Sequence, residues 1–297
     1  MTDICDYEGS RYRQEFWASG ARAYEDLAER IAVRAMLPSG GKRIVEIGAG
    51  FGRLVDLYES FEEIFLVDYA RTQLEEAQRY LGERDNVTYV MADVYRLPFV
   101  PNAFDALLMV RVMHHLVDVP AALHELQRVV SGEGVAVIEH ASKRHLKAIL
   151  RWVLRLQSWN PFSPVPEEFV PLNFDFDPAW MRKQFQSAGF DVTDVRTVSH
   201  FRIPLLKRIF PAKFLARLDG WAQPTGKWWQ LTPSVFLQAK PQKTANDAPL
   251  SKTVFLCPNC HSNQLTFSSD GAECDSCGTM WAKQGGIYNF REPQSKA

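Results

Sequence analysis

Residues 45–53 read VEIGAGFGR: a β-rich run from Arg43 to Ile47 passes directly into glycines at 48, 50 and 52. Such a cluster marks a turn where the backbone takes left-handed angles or meets a ligand with no Cβ in the way. The spacing discriminates between nucleotide-binding turns. A dinucleotide fingerprint requires GxGxxG, whose third glycine lets the helix pack close to the strand, and here position 53 is arginine. A nicotinamide-dependent enzyme is therefore disfavoured.

Working outward, the apolar spacing of Phe16, Trp17, Ala21, Tyr24, Leu27, Ile31 and Met36 predicts an N-terminal helix, closed by the turn Pro38-Ser-Gly-Gly41. Downstream, the glycines lead into a predicted helix through Leu54 and Leu57. Strand and helix then alternate: Ile64 to Val67 as strand, Arg71 to Leu81 as helix, Val87 to Met91 and Ala106 to Val110 as strands. Pro120 to Val130 reads as a helix, capped by Asp118, and Val135 to Ile138 as a strand. This alternation predicts an α/β, Rossmann-like, doubly wound and mostly parallel sheet, with ligands beyond the carboxyl ends of its strands.

Two excursions interrupt the pattern, at about 141–177 and 200–232. Between them Asp177-Pro178 caps a helix ending near Gly189, followed by a strand from Val192 to Val198, and Ser234 to Ala239 supplies a last strand. Residues 241–252, PQKTANDAPLSK, read as a linker. The expected organisation is one domain over 1–240 and a small second one over 253–297.

With 297 residues, 46% of them hydrophobic and 23% charged, the composition is that of a globular protein. The 34 basic and 35 acidic residues exclude a globally basic nucleic-acid binder but leave room for local patches. No uncharged run approaches the about 18 residues of a membrane helix, and a cytoplasmic location is expected. Four of the five cysteines fall beyond residue 256 as CPNC (257–260) and CDSC (274–277), with Cys5 apart. Such pairing favours a metal over disulfides.

The glycine turn suits a ligand that lies against backbone and brings no phosphate to a helix N-terminus, such as an amino acid joined to a nucleoside. Asp68 ends the second strand, where a carboxylate accepts hydrogen bonds from both ribose hydroxyls. Asp93 ends the third, where it faces an adenine amino group flanked by Val94 and Leu97. On these residues, the segment from Val45 to Ile138 resembles the class I S-adenosylmethionine-dependent methyltransferases, especially the small-molecule and quinone methylases. Glu46, Asp68 and Asp93 match that family's order of acidic positions. The resemblance implies that Gly48, Ala49 and Gly50 pass the methionine part and that Asp68, with Tyr69 beside it, holds the ribose. It further implies that Asp93 and Val94 face adenine, and that Val110 and Arg111 lie near the transferred methyl. Tyr24 is the candidate for an aromatic that closes the pocket; packing on the sheet is its other reading.

His114 and His115, in MVRVMHHL, fall beside the expected methyl site, and a neutral imidazole is a suitable base near neutral pH. Either one is the candidate; capping and packing under the adenine are the alternative roles. No [DN]-P-P-[YF] follows the fourth strand, which removes the usual apparatus for amide or adenine amino-group methylation. No cysteine adjoins the site, which argues against covalent C5 methylation of pyrimidines. In the excursions, Lys and Arg alternate with Leu, Ile, Phe and Trp. Three readings stand: a lid over a hydrophobic acceptor with basic groups near an anionic group or membrane surface, an RNA-binding stripe, or amphipathic helices packed on the sheet.

Cys257, Cys260, Cys274 and Cys277 match a closed structural Zn(II) site, whose metal supplies folding energy to a segment too small for its own core. From about Val254 to Phe290 the segment also resembles the Trm112-like zinc ribbons, which activate methyltransferases by packing on them. It departs from their commoner ending at Trp281-Ala282-Lys283 and Gln284-Gly285-Gly286. The expectation is an S-adenosylmethionine-dependent methyltransferase acting on a small, hydrophobic metabolite, its ribbon stabilising it or docking a protein partner. The alternatives are a methyltransferase for tRNA or a translation protein, and a non-catalytic cofactor-binding scaffold.

Overall fold

A computed structural model describes residues 6–10, 13, 17, 20, 22–243 and 254–294. Cys5, Phe16, Ala21 and most of the linker, 244–252, lie outside the described residues.

In chain order the elements are α1 (Ala23–Met36), β1 (Gly41–Ile47), β2 (Phe61–Asp68), α2 (Arg71–Leu81), β3 (Val87–Met91) and β4 (Phe104–Met109). Then come α3 (Val119–Val129), β5 (Val130–Ala141), α4 (Leu146–Val153), β6 (Glu167–Val170), β7 (Asn173–Asp175), α5 (Pro178–Ser187) and β8 (Phe190–Val198). The chain continues with α6 (Pro204–Ile209), α7 (Ala212–Ala222), β9 (Ser234–Pro241), β10 (Leu265–Ser268), β11 (Gly271–Cys274), β12 (Met280–Gln284) and β13 (Ile287–Asn289). The caps behave as their chemistry requires: Asp118 accepts from the Ala121 N–H, and Asp177 from those of Ala179 and Trp180.

The sheet order is β10-β11-β12-β13-β3-β2-β1-β4-β5-β9-β8. Its centre, β3-β2-β1-β4-β5, is parallel, and β9 and β8 are antiparallel. The chain reverses strand order between β1 and β4, which opens a crevice at their carboxyl ends. The residues buried on the two faces form two cores, one containing Val45, Val67 and Leu107 and the other Ile44, Leu66 and Leu108. Alternate residues of β1, β2 and β4 thus face opposite sides, as the strand period demands.

The C-terminal module is not a free appendage. Strand β13 adds in parallel to the edge of β3, pairing Ile287 with Tyr89, Tyr288 with Val90 and Asn289 with Met91. Val100 N–H donates to Val254 O at 2.9 Å, and Leu256 N–H to Pro98 O at 2.9 Å. Phe255 stacks on Phe99 and on Phe290, centroids 5.7 and 5.1 Å apart, so the module shares the core that holds Phe65 and Phe104.

Three expectations change. The glycine turn leads not into an α-helix but into turns and a single 3-10 turn at Val55–Leu57, because Gly50 and Gly52 both hold positive φ and β2 begins at Phe61. The linker starts later than Pro241: Gln242 N–H donates to Gly189 O at 2.7 Å, and Lys243 Nζ to Asn102 Oδ1 at 2.6 Å. The excursion at 200–232 is not uniform: Arg202 lines the cavity at the strand ends, and α6 carries no buried residue. Its α7 packs beside α1, where the buried Asp219 accepts from the Tyr24 hydroxyl and from His200 N–H.

Candidate active site

A cavity of about 550 Å³ opens at the carboxyl ends of the parallel strands. Its inner wall is the glycine turn. Gly48 and Ala49 N–H both donate to Val67 O, at 2.8 and 3.0 Å, which folds the turn back over β2. Gly48 has φ of +68°, and a Cβ there would lie 2.1 Å from Val112 Cγ2, so only glycine lets Val112 seat against the turn. Gly50 N–H donates to Asp68 Oδ2 at 2.8 Å, and Ala70 N–H to Oδ1 at 3.0 Å. Burial pushes the Asp68 carboxyl up to about 6, against the lowering effect of these backbone donors. At neutral pH it is an oriented carboxylate at the end of β2.

Gly48, Gly50, Asp68, Tyr69, Val94, Val110, Arg111, His114 and His115 all line this cavity, as their strand-end positions predict. Four expected residues do not. Glu46 and Ala49 line a small cleft of about 20 Å³ behind the turn. There Glu46 accepts a hydrogen bond from the Tyr58 hydroxyl, and burial raises its carboxyl to about 7. Asp93 is outside the lining because its Oδ1 caps its own turn, accepting from Tyr95 N–H at 2.9 Å. Tyr24 is buried between α1 and α7, its hydroxyl donating to Asp219 and accepting from Phe201 N–H. Its packing role is the one realised. The aromatic from ahead of β1 that reaches the cavity is Tyr7.

Arg111 holds φ of +61°, and its N–H donates to Glu139 Oε2 at 2.9 Å. Its guanidinium donates to Glu29, which also accepts from Arg53 at 2.5 Å. Burial alone would raise Glu29, but the two guanidinium groups outweigh it and hold the carboxyl below its ordinary range. This cluster fixes the loop between β4 and the histidines.

His114 and His115 sit in a 3-10 turn, rings 4.0 Å apart, with different surroundings. His115 Nδ1 faces Leu172 O at 3.0 Å, and a carbonyl only accepts, so that nitrogen carries the proton. Nε2 is then the acceptor for the Tyr7 hydroxyl at 3.1 Å. His114 Nδ1 is buried with no hydrogen-bond partner among the described residues. Burial, then the neighbouring His115 and Arg111, push His114 well below the ordinary imidazole range, and burial lowers His115. Both rings are neutral at pH 7.

The outer half of the cavity carries groups the sequence reading missed, among them Glu139, His145, Phe169, Asp175 and Arg202. Glu139 is at the carboxyl end of β5 and was findable by the rule that singles out Asp68. Asp175 was not, because it arrives on the β6–β7 hairpin. Burial and the charge of Glu139 push Asp175 up to about 6.

A family model described as "Methyltransferase domain" matches residues 45–138. A demethylmenaquinone methyltransferase of Clavibacter sepedonicus is 34% identical over 197 residues, covering 60% of this chain and 78% of that protein. The chain belongs to the S-adenosylmethionine-dependent methyltransferases. Solved structures share the fold. A chain from the complex between the Haloferax volcanii Trm112 methyltransferase activator and a putative methyltransferase superposes with a TM-score of 0.55 at 14% identity, over 78% of this chain and 96% of that one. A Thermotoga maritima S-adenosylmethionine-dependent methyltransferase, possibly a histamine N-methyltransferase, gives 0.55 at 20% identity over 78% and 97%. In this methyltransferase, then, the glycine turn, Asp68 and the groups beyond Arg111 share one cavity.

At the other end of the methyltransferase, the Sγ atoms of Cys257, Cys260, Cys274 and Cys277 lie within 4.8 Å of one another. Cys257 and Cys277 are 3.8 Å apart, Cys260 and Cys274 3.5 Å. Tetrahedral Zn–S bonds of about 2.3 Å place sulfurs about 3.8 Å apart, so the four thiols fit that ion. Each knuckle turns alike: His261 N–H donates to Cys257 O and Gly278 N–H to Cys274 O, both at 2.8 Å, with His261 and Gly278 at positive φ.

Proposed function

We propose that this enzyme transfers the methyl group of S-adenosylmethionine to a hydroxyl or enolic carbon of a small, largely hydrophobic ring compound. The observation that carries the reading is the buried Nδ1 of His114, which has no hydrogen-bond partner among the described residues, on a side chain that lines the cavity with Val110 and Arg111. Bound there, the sulfonium cosubstrate supplies an electrophilic methyl. The protein orients the acceptor in line, keeps water out and takes up the acceptor's proton on His114. Asp68 holds the ribose hydroxyls, and Tyr69 and Val94 frame the base. His115, fastened between Leu172 and Tyr7, ties the β6–β7 segment and the N-terminal segment together across the opening. The name of the Clavibacter relative supports a quinone-like acceptor, and the buried Glu139 and the half-buried Asp175 suit the polar edge of such a ring.

The four cysteines hold a structural zinc ion in a Trm112-like ribbon that acts in cis. The pairing of β13 with β3 supports this over recruitment, because the same edge cannot serve both. The test is incubation of the zinc-loaded protein with S-adenosylmethionine and a panel of hydroxylated quinones and phenols, followed by mass spectrometry for S-adenosylhomocysteine and a 14-dalton gain in the acceptor. Label transfer to RNA or ribosomal protein, with none to the panel, would refute the substrate class.

A further inference from the structure

The apolar face of an amphipathic helix normally turns inward. On α4 it does not: Leu150 and Val153 are 51% and 63% exposed, Leu146 is exposed beside them, and only Ala148 is buried. The pattern recurs on α6, where Leu205 is 63% exposed and no residue is buried, and at Ile203 just before it. The segment before β9 extends the α4 patch. Leu146 N–H donates to Leu231 O at 2.8 Å, and Leu231 is itself exposed.

They also surround the mouth of the cavity. His145 lines it and is followed by the exposed Leu146; Arg202 lines it and is followed by the exposed Ile203. Phe169 does both, lining the cavity while more than half exposed. Exposed cations outnumber acids on this face: Lys147, Arg151 and Arg155 on and just after α4 and Arg208 on α6 are exposed, whereas Lys143 is buried, Arg144 pairs with Asp177, Arg202 and Lys207 pair with Glu25, and the hairpin carries the exposed Glu168.

We infer that α4, the β6–β7 hairpin and α6 form a docking face for an anionic lipid surface, with the cavity mouth against it. An apolar patch interleaved with cations matches the acyl boundary and the phosphates of such a surface at once. An RNA-binding face would rely on aromatic stacking platforms, whereas the exposed apolar side chains of α4 and α6 are aliphatic Leu, Ile and Val apart from Trp152, with Phe169 on the hairpin. No helix among the described residues is long and apolar enough to cross a membrane, so the contact is peripheral. The inference concerns where the enzyme works and stands apart from the identity of its acceptor.

The test is flotation of the full-length, zinc-loaded protein with vesicles of phosphatidylcholine containing about one third phosphatidylglycerol, with no methyl acceptor present. Binding to these vesicles, about tenfold weaker for the double variant Leu150→Glu/Val153→Glu and weaker in high salt, is the expected result. Lys147→Glu/Arg151→Glu reduces binding in parallel, and a blue shift of tryptophan emission accompanies it because Trp152 lies on the same helix. All four side chains are exposed, so thermal melting of the variants matches the parent and separates lost docking from lost folding. No flotation, flotation indifferent to both double variants, or a dimer abolished by Leu150→Glu/Val153→Glu without vesicle binding overturns the inference. Retention of single-stranded RNA by a protein that ignores vesicles overturns it as well, and reassigns the face.

Discussion

The guanidinium of Arg291 lies 4.6 Å above the ring of Tyr69, and its Nη1 donates to the Tyr69 carbonyl at 3.1 Å. Tyr69 directly follows Asp68, so a residue just past the last strand of the cysteine module grips the loop to which we assign the ribose. Arg291→Ala removes a cation–π contact and a hydrogen bond, together about 1–2 kcal/mol when fully expressed. Titration calorimetry with S-adenosylmethionine is expected to show about three- to tenfold weaker binding. Unchanged affinity would mean that the module and the cofactor loop act independently.

Removing the proposed zinc is expected to undo more than a clip. The knuckles orient the hairpins that present β13 to β3 and Phe255 to Phe99. A high-affinity zinc chelator, or Cys257→Ser, is expected to lower the melting temperature by about 5 °C or more and to promote aggregation as the β3 edge is uncovered. Scanning fluorimetry with zinc add-back gives the readout; melting that ignores the chelator would dismiss a structural zinc.

With Asp68 in its proposed place at the ribose, its protonation sets the pH range of cofactor binding. Its carboxyl, raised to about 6 by burial, accepts from both ribose hydroxyls when ionised and is a weaker acceptor when protonated. Affinity is expected to be flat above pH 7 and to fall as pH drops through about 6. Asp68→Asn weakens binding by about ten- to a hundredfold, the range for hydrogen bonds to a charged group, and removes the pH dependence.

Glu46 carries a different pH signature, one of stability. Its folded value of about 7 exceeds the ordinary 4.5, so the folded state holds the extra proton between those values. Stability contributed by that proton is complete below about pH 4.5 and is lost as pH rises through 7. Glu46→Gln keeps the acceptor for Tyr58 without a charge, and is expected to raise the melting temperature at pH 8 but not at pH 5. Equal shifts at both would rule out the buried carboxyl as the cause.

The two histidines separate by mutation. His114→Ala is expected to reduce turnover about 10²- to 10⁴-fold with cofactor affinity nearly intact. Tyr7→Phe removes the donor to His115 Nε2, and is expected to raise the KM of the acceptor more than it lowers kcat. Because burial keeps His114 neutral, the rate shows no acid limb near pH 6.5. Loss of cofactor binding in the His114 variant would refute its role as base.

Much of this protein is local, and what is local was legible. Gly48, Asp68, Val110, His114 and the four cysteines follow strand ends or knuckles at fixed spacing, and the strand period alone carries them to one crevice or one cluster. Tyr24 and Glu46 misled because family position does not report rotamer or burial. Asp219, 195 residues away from Tyr24, claims its hydroxyl, and Tyr58 claims Glu46. Tyr7, Asp175 and Arg202 reach the cavity from segments with no periodic signal.

The amino-acid sequence by itself determined the parallel sheet, the glycine turn and the pairing of the four cysteines, because each depends on neighbours a few residues apart. Only the tertiary structure decided that β13 completes the edge of β3, that His115 is shared by Tyr7 and Leu172, and that the apolar face of α4 looks outward. Edge pairing, long-range hydrogen bonding and the side on which a helix is buried are properties of contacts between distant segments. Residue order carries no spacing rule for them.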